Sequence, residues 1–277
     1  MRWKQFFTPV QSFDAEKARK YIADHPHSDF TILDVRQPKE YENGHIPGAK
    51  LIPLPDLTDR LAEIDPQKPA IVYCAVGGRS RVAAQMLSGK GFQTVYNLSG
   101  GFKGWQGQAA FGAEEKGLEL FSGNESPEKT LVVAYSLEAG LHDFYVSMTP
   151  KVDSAAARQL FEKLSEIEIN HQERIYKEYL KITGKTQGRD EFEKQIMVKA
   201  VEGGLTTEEY TRLFSTDTES VTGITELAMS IEAQALDLYM RAAEKSKNAQ
   251  SRDMLLQIAA EEQTHLKQLG KLIESIA

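Results

Sequence analysis

The chain has 277 residues, 41% hydrophobic and 26% charged, which implies two domains and excludes a disordered, collagen-like or membrane-embedded protein. A single cysteine rules out a disulfide within the chain, a two-cysteine redox pair and a four-cysteine metal knuckle, so any metal must rely on His, Glu and Asp. The net charge of −7 divides unevenly: residues 1–110 carry 14 basic and 11 acidic side chains, net +3, and residues 111–277 carry 19 and 29, net −10. An acidic half, and a basic half without a Lys/Arg cluster, argue against nucleic acid and anionic membranes as partners. The first residues show no signal-peptide pattern and no stretch is long and apolar enough to span a bilayer, so the expected compartment is the cytoplasm, where a lone thiol stays reduced.

In chain order, the pattern predicts a helix over 12–24, strands over 31–35 and 70–74, a helix over 79–89 bounded by Gly77-Gly78, Gly89 and Gly91, and a strand over 94–98. Short apolar runs alternating with helices describe an α/β domain, a mostly parallel sheet flanked by helices, over 1–108. Periodicity is lost over 109–129, which reads as a linker. Residues 130–277 read as all-α, with amphipathic helices near 131–148, 153–182, 219–246 and 248–276 and shorter ones around 189–201 and 207–214. Two helical hairpins joined by one long crossover is the connectivity of a ferritin-like four-helix bundle.

Cys74 follows the apolar run Ala-Ile-Val-Tyr and opens the loop Cys74-Ala-Val-Gly-Gly-Arg-Ser-Arg81, with a helix after it. A loop entering a helix N-terminus turns several backbone N–H groups toward one point, favouring a thiolate and an anion placed against it, and Arg79 adds positive charge. A buried cysteine that only packs is the alternative. Together with Leu33-Asp-Val-Arg36, Glu40-Tyr-Glu-Asn-Gly-His-Ile-Pro-Gly-Ala49 and Leu98-Ser-Gly-Gly-Phe-Lys-Gly-Trp105, the loop resembles a single-domain rhodanese over residues 1–108. The resemblance implies sulfane-sulfur transfer through a persulfide on Cys74, from a donor such as thiosulfate to a thiol or other thiophilic acceptor. It makes Cys74 and Arg79 the catalytic pair and Ala75, Val76, Gly77, Gly78, Arg79 and Ser80 the cradle for the donor. It also implies that Asp34 and Arg36 brace the loop and that His45 packs its own turn. A phosphatase with a Cys-x5-Arg loop is the rival, but the spacing here is Cys-x4-Arg, and Ser80 stands where the phosphatase arginine would be.

An internal repeat with an offset of 94 governs the second half. Ala134-Tyr-Ser-Leu-Glu-Ala-Gly-Leu-His-Asp-Phe-Tyr145 aligns with Ala228-Met-Ser-Ile-Glu-Ala-Gln-Ala-Leu-Asp-Leu-Tyr239, and the same offset carries Glu168 onto Glu262 and His171 onto His265. Each repeat thus supplies one Glu, Glu138 or Glu232, and one Glu-x-x-His, whose two side chains share a helix face. In a bundle core these four carboxylates and two imidazoles suit two divalent cations, iron or manganese. Tyr145 and Tyr239, two turns after the first Glu of each repeat, read either as hydrogen-bond donors behind the ligands or as core tyrosines. His142 has no counterpart in the repeat and reads as near the cluster rather than in it. These residues resemble the rubrerythrin branch of the ferritin-like superfamily over 130–277. The resemblance implies a di-iron centre reacting with peroxide or dioxygen, with Glu138 and Glu232 as terminal ligands, Glu168 and Glu262 as bridges, and His171 and His265 completing the set. No haem is expected. The rubredoxin-type iron site of typical rubrerythrins cannot form with one cysteine, and their additional Glu is Ala235 here.

The combined expectation is a sulfurtransferase domain fused to a di-iron domain with peroxide- or dioxygen-dependent redox activity, assembled as a homodimer. The alternative is a rhodanese whose metal-binding bundle acts only as a sensor or dimerisation module.

Overall fold

A computed structural model of the chain describes residues 10–186, 188–196, 202–204, 210 and 217–276. The chain divides into two compact units, 1–114 and 115–277.

The first unit is a five-stranded parallel sheet of β1 (Gln11–Phe13), β2 (Thr31–Asp34), β3 (Lys50–Leu51), β4 (Ala70–Tyr73) and β5 (Val95–Leu98), in the order β1-β5-β4-β2-β3. Its helices are α1 (Ala15–Asp24), α2 (Pro38–Glu42) and α3 (Gly78–Gly89). Neighbouring residues of a strand feed opposite faces: Leu33 and Val72 pack with Ala83, Ala84 and Leu87 of α3, whereas Ile32 and Ile71 pack with Ala18 of α1, Phe13 and Trp105. A sheet buried on both faces needs apolar residues at every position, hence the unbroken runs of β2 and β4. β4 is central and fully buried, so its carboxyl end, where Cys74 follows, opens onto the crevice outside the strand ends, where open α/β sheets place ligands.

The expected strands and helices of this unit are present with ends shifted by one to three residues. Ser12 lies in β1 rather than in the helix, because Asp14 accepts the Lys17 N–H at 2.8 Å and caps α1 there. β1, β3 and α2 were not foreseen, since two to five residues carry no measurable period. The segment 109–129 is packed rather than free: Ala110 exchanges backbone hydrogen bonds with His45, and Leu118–Leu120 forms a turn of 3₁₀ helix.

The second unit is helical. α4 (Pro127–Met148) packs along α5 (Ala155–Thr183), and α7 (Val221–Lys245) along α8 (Ala249–Ile276); the short α6 (Arg189–Glu193) lies in the connection between the pairs. Ser126, Ser154 and Ser220 cap α4, α5 and α7 through their hydroxyls, and Gly184, at φ +64°, ends α5. The connections within each pair are too short for anything but antiparallel neighbours. Of the shorter helices expected in the crossover, 197–201 and, apart from Tyr210, 207–214 lie outside the described residues. Among the described residues no helix is long and apolar enough to cross a membrane.

Candidate functional site

Cys74 is 1% exposed. Its Sγ accepts the Gly77 N–H at 3.1 Å, and the Ser80 hydroxyl shares its one proton between Sγ at 3.5 Å and Asn97 Oδ1 at 2.7 Å. Burial alone would push the thiol up. The Ser80 hydroxyl and the N–H groups of Ser80, Val76 and Gly77 outweigh it, and the net direction is below the ordinary thiol value. Gly77 takes φ +98° at the N-terminus of α3, a conformation that turns the loop amides toward the sulfur.

The loop rests on the 98–105 segment. Phe102 N–H donates to Cys74 O at 2.7 Å and Lys103 N–H to Ala75 O at 3.0 Å. Gly101, at φ +58°, lies so close that a Cβ there would stand 2.3 Å from Cys74 O and 2.7 Å from Val76 N. Beside it, Arg36 grips Asp34 through two nitrogens, donates to Gly44 O at 2.7 Å and lies over the Phe102 ring at 4.4 Å. His45 stacks on Tyr41 with centroids 3.5 Å apart. Asp34 and Arg36 are thus neutralised by each other, and both they and His45 are buried in bracing positions. Arg79 is engaged too: its guanidinium grips Glu40 at 2.7 and 2.8 Å. The Arg79 bond holds the Glu40 carboxyl down to about 2.

In the helical unit, Glu138 of α4, Glu168 and His171 of α5, Glu232 of α7 and Glu262 and His265 of α8 come together. Their ligand atoms form two groups, Glu138/Glu168/His171 and Glu232/Glu262/His265, each within 4.8 Å. His171 Nδ1 stands 2.9 Å from Glu168 and 3.3 Å from Glu138, His265 Nδ1 stands 2.9 Å from Glu262 and 3.5 Å from Glu232, and the two rings stack at 4.4 Å. All four carboxylates are at least 95% buried. Burial and the neighbouring carboxylates push Glu168 up to about 8 and Glu262 well above its usual range, while the same carboxylates raise His171 to about 10 and His265 to about 11 against their own burial. Glu138 Oε1, Glu232 Oε2 and Glu262 Oε1 are buried without a hydrogen-bond partner.

His142 stands outside both groups, with Nδ1 3.2 Å from Asp143. Tyr145 packs against Phe161 and Tyr239 against Phe121, both fully buried. The two aspartates of the repeat differ: Asp143 is exposed, and Asp237 is buried and accepts from Arg241 at 2.7 Å.

The family model for the rhodanese-like domain matches residues 14–108. Over 75 residues the chain is 39% identical to thiosulfate sulfurtransferase GlpE of Pseudomonas syringae pv. syringae, covering 71% of that protein and 27% of this chain. The chain belongs to the rhodanese-like family. The GlpE protein of Ectopseudomonas mendocina is 38% identical over 81% of its length and 30% of this chain, and the uncharacterised protein YqhL of Bacillus subtilis is 49% identical over 28% of this chain. The match spans 61% of YqhL's own length.

Three residues of the rhodanese-like site were not foreseen from the sequence: Asn97, which accepts from the Ser80 hydroxyl; Gly101, which the loop rests on; and Glu40 as the partner of Arg79. A polar Asn inside the buried run of β5 was the one available signal, since a buried amide must find a partner. Two results follow from this geometry. Alkylation of Cys74 by iodoacetamide titrates with a midpoint below that of an ordinary thiol, and Ser80→Ala moves it upward and slows labelling at pH 7 by roughly threefold to tenfold; an unchanged midpoint would remove Ser80 from thiolate stabilisation. Gly101→Ala lowers stability by about 2–4 kcal/mol, read from the urea midpoint, because the added methyl meets backbone at a positive φ.

Proposed function

We propose that the rhodanese-like unit is a sulfurtransferase carrying sulfane sulfur on Cys74, and that the helical unit is a ferritin-like, rubrerythrin-type di-metal carboxylate domain with peroxide- or dioxygen-dependent redox activity. The sulfur reading is carried by one observation: the only thiol of the chain is buried beneath the inward-turned N–H groups of its own loop, stabilised as thiolate. The Cys74 thiolate attacks the sulfane sulfur of a donor such as thiosulfate, the donor's S–S bond breaks, and sulfite leaves with the bonding pair. The resulting persulfide is held by the N–H groups of Gly77 and Ser80. A thiol acceptor, as thiolate, then attacks its outer sulfur and returns Cys74 as thiolate. Mass spectrometry of the reduced chain incubated with thiosulfate tests it: one sulfur atom is gained at Cys74 and lost on adding a thiol, and no gain sinks the reading.

Support for the metal comes from the donor chemistry. Four buried carboxyl groups and two imidazoles converge in two three-residue groups, two of the carboxyls are pushed toward keeping their protons without a cation, and hard carboxylates with borderline imidazoles fit two iron ions, or manganese. Glu138, Glu168 and His171 would hold one cation and Glu232, Glu262 and His265 the other. When bound, such a pair supplies electrons to an oxygen-containing oxidant. The chain's own part is to keep bulk water from carboxylates that are at least 95% buried, and to fix the imidazoles through the carboxylates at 2.9 Å. Elemental analysis of the iron-loaded chain tests it, with two ions per chain expected and none overturning the assignment.

A further inference from the structure

We propose that Glu40 is a specificity-determining positioning residue of the Cys74 site, which cancels the charge of Arg79 and so favours a singly charged or neutral organic hydropersulfide over dianionic thiosulfate as sulfur donor. This rests on the sulfurtransferase reading of Cys74 and adds the substrate class.

The geometry has three parts. First, Arg79 is the only cation within the loop 74–80, and both of its terminal nitrogens are taken by Glu40, at 2.8 Å to Oε2 and 2.7 Å to Oε1. A bidentate guanidinium–carboxylate pair is close to neutral at a distance and offers little to a second anion. Glu40 is itself fixed, because Oε2 also accepts the Gln37 N–H at 3.0 Å in the capping box of α2, so the carboxylate cannot swing away without uncapping that helix. Second, neither Arg36 nor Lys103 replaces it. Arg36 is spent on Asp34 in the core, and Lys103 meets the loop through its backbone while its side chain stands in solvent. Third, the loop's rim carries exposed apolar side chains. Among the described residues four large hydrophobic side chains are exposed, and two of them, Val76 at 64% and Val82 at 43%, lie on the loop and on the first turns of α3. Backbone N–H groups can stabilise one developing thiolate charge, but a second full charge beside apolar side chains and a cancelled arginine loses water without compensation. Carbon next to the transferred sulfur is, by contrast, matched by Val76.

The transfer balances without an added oxidant. The Cys74 thiolate attacks the outer sulfur of R–S–SH, the bond between the two donor sulfurs breaks, and the inner sulfur leaves as the thiolate RS⁻ with the bonding pair. The proton stays on the transferred sulfur as Cys74–S–SH.

The test uses the full chain, 2-hydroxyethyl hydropersulfide and thiosulfate as donors, and the single-turnover rate of Cys74 persulfide formation followed by alkylation and mass spectrometry. The wild type charges more efficiently with the hydropersulfide. Glu40→Gln keeps an acceptor for the Gln37 N–H but frees the arginine charge. It lowers the half-saturating thiosulfate concentration roughly fivefold to tenfold, with a much smaller change in the limiting rate and in the persulfide reaction. Glu40→Asp, which keeps the charge, retains the wild-type preference. An unchanged thiosulfate dependence in Glu40→Gln, an equal change for both donors, or Glu40→Asp behaving like Glu40→Gln overturns the proposal while leaving the sulfurtransferase reading intact. A wild type charged by neither donor, with Cys74 still alkylated normally, overturns both.

Discussion

Replacing Cys74 with Ala abolishes sulfur loading and lowers transfer by a factor on the order of 10³ or more, because the side chain that forms the covalent intermediate is gone and nothing in the sequence can substitute for it. The loss is chemical rather than structural. Cys74 sits at the end of β4 with its backbone carbonyl bonded to Phe102 N–H, and alanine preserves that bond and most of the packing against Ala83 and Val72. The unfolding free energy read from the urea midpoint therefore falls by no more than about 1–2 kcal/mol, the usual cost of trimming one buried heavy atom. Circular dichroism and single-turnover loading on the same sample separate the two effects. Residual loading within tenfold of the wild type would place the sulfur carrier elsewhere, and an unfolded variant would mean that the thiol holds the loop together. Arg79 predicts a milder outcome, since its guanidinium is already taken by Glu40.

The strands of the rhodanese-like unit were legible because a parallel sheet buried on both faces leaves a contiguous apolar signature: β2 and β4 are simply the runs that water cannot reach. The reactive loop was legible because glycines 77 and 78 and a helix start stand immediately after a lone cysteine. What the chain order hides is approach in space. Glu40 is thirty-nine residues from Arg79, and the two meet only because β2 and β4 are hydrogen-bonded neighbours whose carboxyl ends lie side by side. Gly101 was equally hidden as a foundation for the loop, since its role depends on the positive φ that lets backbone approach backbone. In the helical unit the spacing of three within Glu-x-x-His named each carboxylate–imidazole pair, and the offset of 94 related the two halves. The stacking of His171 on His265 required the helices to be packed. Tyr145 and Tyr239 show the opposite case: spacing alone left them between two roles, and ring packing against Phe161 and Phe121 does not choose between them, because a tyrosine in either role buries its ring.

Glu168→Gln stabilises the metal-free chain and weakens the metal-loaded one. Glu168 is 1% exposed and its carboxyl is pushed up to about 8, chiefly by burial and then by the charges of Glu138 and Glu232. Its folded value thus lies above the ordinary carboxylate value of about 4.5 that holds in the unfolded chain. Between those two values the folded state binds the proton that the unfolded state has released, so stability is full below about pH 4.5 and is lost as the pH rises toward 8. At pH 7 the loss is on the order of 3 kcal/mol, and a neutral amide that still accepts from His171 Nδ1 avoids it. The variant therefore melts higher than the wild type without metal at pH 7, and the difference shrinks toward pH 4.5. With ferrous or manganous ions the order reverses. Cations require their ligands deprotonated and reward each carboxylate that can meet them, so the wild type gains several degrees in Tm while Glu168→Gln gains little, corresponding to metal affinity lower by roughly tenfold to a hundredfold. Because protons compete with the cations for Glu168 and its neighbours, the wild-type gain also grows as the pH rises from 5 to 8. A set of residues that merely formed buried ion pairs would behave differently: Glu168→Gln would destabilise the chain with or without metal, by stranding His171, and added cations would leave both melting curves in place. Melting curves of the two proteins, with and without metal at pH 5 and pH 7, distinguish a cation site from a set of buried ion pairs.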